Sequence, residues 1–118
     1  MDELLERLVG KVGVDRDVAE KAVGIILTFL LEEGASDQVQ TLISRVPGAN
    51  AAIEAVESEG GLGMGGIMGV GSKLMAAGLG FDQMQGATHE LIDFARQKVG
   101  PETVDAIVKS VPAIGQFV

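Results

Sequence analysis

The sequence predicts an all-α domain: a compact bundle of about seven or eight short helices, arranged as two pseudo-symmetric repeats joined by a glycine-rich segment. Three observations predict it. Apolar residues recur at three- and four-residue intervals along most of the chain. Glycines, prolines and capping side chains cut those runs into short lengths. Val, Ile and Thr nowhere alternate with polar residues for long enough to form a strand.

The 118 residues are expected to make one domain with a core of its own. Repeat one spans 1–58, the connector 59–71 and repeat two 72–118. A hydrophobic content of 47% argues against disorder. With four Phe and no Trp or Tyr, the core must be aliphatic.

Leu4, Leu5, Leu8, Val9 and Val12 share helical spacing, with Asp2 and Glu3 at the end where the helix dipole favours acids. Gly13 ends that helix and Asp15 is a candidate N-cap for the next. Val18, Ala19, Ala22, Val23, Ile25, Ile26, Phe29 and Leu30 give a wide apolar face, and the almost wholly apolar stretch from Ile25 to Leu31 predicts a central helix buried on most sides and closed by Gly34. Ser36 and Asp37 open a third helix carrying Val39, Leu42, Ile43 and Val46, and Pro47-Gly48 breaks it. Residues 51–56 form a short fourth helix. In the second half, a short helix is expected over 72–78, with Leu74 and Met75 as its apolar residues and Gly80 as its stop. Asp82 is the expected cap of the next helix, whose stripe is Met84, Ala87, Leu91, Ile92, Phe94, Ala95 and Val99. Pro101 suits a helix start. Val104, Ile107, Val108 and Val111 follow, Pro112 breaks the helix, and Ile114, Phe117 and Val118 form an apolar tail.

The two halves read alike, which is the basis for expecting a duplication. Gly13-Val14-Asp15 parallels Gly80-Phe81-Asp82. Phe29 parallels Phe94, Val39 parallels Val104, and Val46-Pro47 parallels Val111-Pro112. The halves are expected to pack together through Ile25, Ile26, Phe29, Leu91, Ile92 and Phe94.

A formal charge of −8 argues against nucleic acid and anionic lipid as partners, since both are held by Lys and Arg. Residues 1–58 carry −6 of it and residues 59–118 carry −2. Without cysteine there is no disulfide, thiolate metal site or cysteine nucleophile. The opening Met-Asp-Glu lacks the basic-then-apolar pattern of a signal peptide, and a cytoplasmic location is expected.

The stretch from Gly60 to Gly71 is the most unusual. Gly61, Gly63 and Gly66 match G-x-G-x-x-G in form, but no strand precedes them, so a dinucleotide site is not expected. Gly61, Gly65 and Gly69 lie four apart. On a helix they would form one close-packing edge, with Met68 beside it. These four residues are the candidate interaction surface. Each glycine costs a helix about 1 kcal/mol against alanine, so an isolated helix here would not hold. A linker or close-packed crossover is the plainer reading of the stretch, ahead of self-association, with lipid contact last. Ser72 and Lys73 end the apolar run well short of a bilayer span.

His89 and Asp93, four apart on a helix, could face one metal ion. His89 is the only histidine and no third ligand is indicated, so no metal or cofactor is expected. Asp15, Asp17, Glu20, Glu32, Glu33 and Asp37 read as solvated helix faces and caps, with Asp17 and Lys21 able to pair at i, i+4. Met64, Met68, Met75 and Met84 cluster mid-chain, where core filling is the plainer role and an adaptable contact surface the other.

The order Leu8…Val12-Gly13-Val14-Asp15, an apolar helix, then Val46-Pro47-Gly48-Ala49 and a glycine-rich stretch resembles small helical bacterial proteins of the VcgC/VcgE type. The resemblance covers most of the chain, rests on turn and core signals, and implies a helical fold; it assigns no residue a role. The acidic N-terminal half departs from that pattern. The expected function is therefore a non-enzymatic interaction or scaffold protein that self-associates as a homo-oligomer, with room for a further protein partner. The alternatives are a carrier of a small apolar ligand or lipid and, more weakly, membrane association through residues 60–78.

Overall fold

The computed structural model describes residues 2–33, 36–58 and 66–111. Among them the elements are α1 (Asp2–Arg7), a π-helical turn (Leu8–Val12), α2 (Arg16–Glu33), α3 (Ser36–Arg45), α4 (Ala49–Ser58), α5 (Gly66–Ala76), α6 (Phe81–Val99) and α7 (Pro101–Ser110). No strand occurs among the described residues. The all-α reading holds.

Helix α2 is the hub. Every residue from Ala22 to Leu30 is buried, and the helix packs against α1, α3, α4, α5 and α6. Each of Val23, Ile25, Ile26, Leu27, Phe29 and Leu30 contributes about 1.5–3 kcal/mol on burial. That outweighs by far the cost of about 1 kcal/mol for Gly24 within the same helix. The buried Thr28 hydroxyl donates to the Gly24 carbonyl oxygen at 2.7 Å, so the one polar side chain in the run is satisfied. Glu33 is the last described residue of α2, and Gly34 lies outside the described residues.

The N-terminal segment departs from the expected helix. Leu4, Leu5 and Leu8 are buried, but Val9 is 42% exposed. After Arg7 the winding widens to i→i+5: the Gly13 N–H donates to the Leu8 carbonyl oxygen at 3.1 Å. This turns Val9 outward and leaves Val12 half-buried. Gly13 closes the turn at φ +83°, a left-handed cap that glycine adopts without penalty. Asp15 then stands at the entry of α2, where its carbonyl oxygen accepts from the Ala19 N–H.

This segment runs antiparallel along one stripe of α6. A β-carbon on Gly86 would stand 3.1 Å from Val12 Cγ2. Lys11 Nζ lies 3.7 Å from Glu90 Oε1. Arg7 lies over the Phe94 ring, 5.7 Å from its centroid, and donates to Gln97 Oε1 at 3.0 Å. Gly86, Glu90 and Phe94 are spaced by four, so one face of α6 carries them all.

Several boundaries differ from the sequence reading, α4 among them, which spans Ala49–Ser58 where 51–56 is expected. Helix α5 begins at Gly66, inside the stretch expected to be connector, and ends at Ala76. Its burial of Gly69, Val70 and Leu74 against the rest of the fold offsets the low helix propensity of its glycines. Helix α6 begins at Phe81, so Gly80, not Asp82, is its N-cap. Gly80 has no side chain to cap with; instead its N–H donates to Gln83 Oε1 at 2.9 Å. Asp82 lies in the first turn, where the dipole favours it. Pro101 opens α7 as expected, whereas the apolar tail residues Ile114, Phe117 and Val118 lie outside the described residues.

Helices α2 and α3 have 18 and 10 residues, α6 and α7 have 19 and 10. Phe29 and Phe94, Val39 and Val104, and Val46 and Val111 are buried alike. The turn positions differ: Val14 is buried, but Phe81 is 62% exposed, and Gly13 is left-handed where Gly80 is extended.

Candidate interaction surface

Helix α4 is rich in alanine, and its Ala52 sits directly over α2. A β-carbon placed on Gly24 would lie 2.5 Å from the Ala52 carbonyl oxygen and 2.9 Å from Val56 Cγ2. The two helices therefore meet backbone to backbone. Beside this crossing the surface is hollowed because the residues that flank it are small.

Two adjoining grooves result, and they share Lys21. The larger, of about 320 Å³, is lined by Asp17, Glu20, Lys21, Ala52 and Ala55 between α2 and α4. The smaller, of about 110 Å³, is lined by Lys21, Ile25, Val56, Lys73, Ala76 and Ala77 where α5 joins them. The apolar part of the lining is Ile25, Val56, Ala52, Ala55, Ala76 and Ala77. The rim carries acids at the α2 end and Lys73 at the α5 end. Met75, 66% exposed, stands on α5 next to Ala76.

Arg7, Lys11, Arg16 and Arg96 each reach a carboxylate of the same chain. Asp17, Glu20 and Lys73 make no ion pair among the described residues. Asp17 and Lys21, expected to pair at i, i+4, line one groove.

Of the residues read from the sequence as an interaction surface, Gly69 is buried in α5, so it serves the chain's own packing. Met68 also lies in α5, and Gly61 and Gly65 lie outside the described residues, as do Gly63 and Met64. Met84 is buried, as core filling requires, and Met75 is not. Ile25, expected between the halves, is in the buried core and also borders the smaller groove. Ile26, Phe29, Leu91, Ile92 and Phe94 are in the common core.

The other motif is a surface network. His89 Nε2 lies 3.2 Å from Asp93 Oδ2, and Arg96 Nη1 lies 3.4 Å from the other oxygen of the same carboxylate. Arg96 also reaches Asp105 on α7 at 3.9 Å. Asp93 is thus engaged on both oxygens, and among the described residues no three His, Cys, Asp or Glu side chains are grouped to hold a metal ion. No helix among the described residues is long and apolar enough to cross a membrane.

The signal for the groove was present in the sequence as Gly24 inside an apolar helix and as Ala49, Ala51, Ala52 and Ala55 on a short one. Together they mark a close helix crossing. Comparison with protein-family models, curated proteins and solved structures found no match to the chain.

Proposed function

We propose that this chain is a non-enzymatic interaction protein that associates with itself. The observation that carries the reading is the alanine-lined groove of α2, α4 and α5, which opens to solvent beside the exposed Met75. An exposed methionine beside small residues is an adaptable contact surface, and a groove floored by alanine lets another backbone come close. The likeness to VcgC/VcgE-type proteins supplies no activity to carry over, so the reading rests on this surface.

A carrier of an apolar ligand has less support. Such sites enclose most of the ligand in apolar walls, whereas both grooves open to solvent and are rimmed by charge. Membrane association has less again, since the chain is strongly acidic.

Light scattering and sedimentation velocity over a wide concentration range test the proposal, with a concentration-dependent rise in mass expected. A strict monomer throughout would overturn it. Native mass spectrometry of protein purified from cells separates the carrier: a co-purifying small molecule would favour that reading instead.

A further inference from the structure

We propose that two copies of this chain exchange their N-terminal segments, residues 2–12 of each seating on α6 of the other. The proposal rests on the self-associating reading and adds a contact that does not use the groove.

The segment is joined to the rest of the fold at one place, Gly13-Val14-Asp15, between the π-helical turn and α2. What holds it lies beyond that joint. Asp2 Oδ1 accepts from Arg16 at 2.7 Å, and Arg7 donates to Gln97 Oε1 at 3.0 Å and lies over Phe94. Lys11 faces Glu90 at 3.7 Å, and Val12 lies against Gly86. Each of these contacts pairs a residue before Gly13 with one after Asp15, so each forms equally well between two chains. Leu4, Leu5 and Leu8 are buried with them. An emptied seat would expose the apolar surface that covers these leucines, which water opposes. The segment therefore leaves only as another takes its place. The segment that carries the same leucines, with cations for Glu90 and Phe94, is that of a second copy.

The joint favours the exchange. To fold back on its own chain the segment uses two uncommon local conformations, the i→i+5 winding over Leu8–Val12 and the left-handed Gly13 at φ +83°. Both belong to the turn and neither to the seat. A segment that reaches across to a second copy needs neither of them. Short hinges under such constraint invite exchange between protomers, and the resulting dimer requires no interface that the monomer lacks. Gly13 itself is exposed, and an added β-carbon there would meet nothing within 4 Å, so the joint has room to open at that residue.

The chain has no cysteine, which allows a direct test on the full-length protein. An ideal β-carbon on Gly86 stands 3.9 Å from Val12 Cβ, the spacing of a disulfide. Val12→Cys combined with Gly86→Cys, oxidised at high protein concentration, is expected to link position 12 of one chain to position 86 of another. Non-reducing electrophoresis should then retain a dimer that reductant dissolves, and neither single cysteine variant should form it. Gly13→Ala gives a second readout that needs no cross-link. Alanine resists the left-handed turn enough to shift an equilibrium roughly five- to thirtyfold at each joint, and a dimer opens two joints. This variant should dimerise at least tenfold more tightly than wild type by sedimentation equilibrium, whereas a contact through the groove would leave the dissociation constant unchanged. If wild type self-associates while the disulfide forms only within one chain and Gly13→Ala changes nothing, the exchange is wrong and self-association stands. If the cysteine pair stays reduced, an unchanged dissociation constant for Gly13→Ala overturns the exchange by itself. If wild type and Gly13→Ala are both monomeric at every concentration, both readings fall.

Discussion

Gly24 and Ala52 stand so close that a β-carbon at position 24 would lie 2.5 Å from the Ala52 carbonyl oxygen. This contact sets the spacing of α2 and α4, and so the depth of the groove beside them. In an isolated helix, Gly24→Ala would gain about 1 kcal/mol. Here the new methyl meets backbone atoms that cannot swing aside, and overpacking of this kind costs about 1–3 kcal/mol. The clash wins. Thermal unfolding should show a net loss of about 1–2 kcal/mol and a lower Tm, and a variant as stable as wild type would mean that α4 can shift freely.

Gly71 is the opposite case. It lies inside α5, and nothing within 4 Å would meet an added β-carbon. Gly71→Ala should raise stability by about 0.5–1 kcal/mol through helix propensity and a less flexible unfolded chain. Amide exchange within α5 should slow in step. An unaltered exchange rate there would mean that α5 is already as stable as the rest of the domain.

Much of the fold was legible because its signals are local. Pro47-Gly48, Pro101 and the periodicity of α2, α3, α6 and α7 depend on short-range sterics and on burial of one face, both of which a sequence displays. What escaped depends on distant partners. The helical state of residues 66–71 is supplied by packing on the fold, because the glycines themselves oppose it. The outward turn of Val9 follows from the widened winding after Arg7, which no spacing rule signals. Gly80 took the cap position from Asp82 because Gln83 reaches back to it, and a glycine cap leaves little trace in sequence. The groove was missed for the same reason: Asp17 and Lys73 are 56 positions apart, and only the α2–α4 crossing and the docking of α5 bring them to one surface. Of the expected contact edge at Gly61, Gly65 and Gly69, only Gly69 lies among the described residues, and it is buried within α5.

Phe29 and Phe94 are equally buried, yet their surroundings differ. Phe94 has the Lys98 ammonium 5.2 Å and the Arg7 guanidinium 5.7 Å from its ring centroid. Truncating either ring to alanine should cost about 3–5 kcal/mol. The cations add a further coupling at position 94 alone, of about 0.5–1 kcal/mol where solvent still reaches them. A double-mutant cycle of Phe94→Leu with Arg7→Gln should recover that coupling, and the same Arg7 change paired with Phe29→Leu should give additive effects. Equal behaviour of the two cycles would show that the cations lie over the ring without holding it.

Glu90 is the one charged side chain among the buried residues described, at 9% exposure, and its ion-pair partner Lys11 is itself mostly exposed. Two effects compete in this pair. Desolvation of the Glu90 carboxylate opposes folding, and the Lys11 ammonium at 3.7 Å offsets part of that cost. Because Lys11 is well hydrated and screened, the offset is worth about 1 kcal/mol at most. Lys11→Met should therefore lower stability by about that amount. Glu90→Leu removes the desolvation cost and adds apolar area against the π-helical turn, so it should be neutral or stabilising by about 1 kcal/mol. The two substitutions combined should leave stability close to that of Glu90→Leu alone, since Lys11 then has no carboxylate to serve. Urea titrations of the four proteins decide it. If Glu90→Leu instead costs more than about 2 kcal/mol, the carboxylate anchors the N-terminal segment on α6 in its own right, and that segment is held by charge more than by Leu4, Leu5 and Leu8.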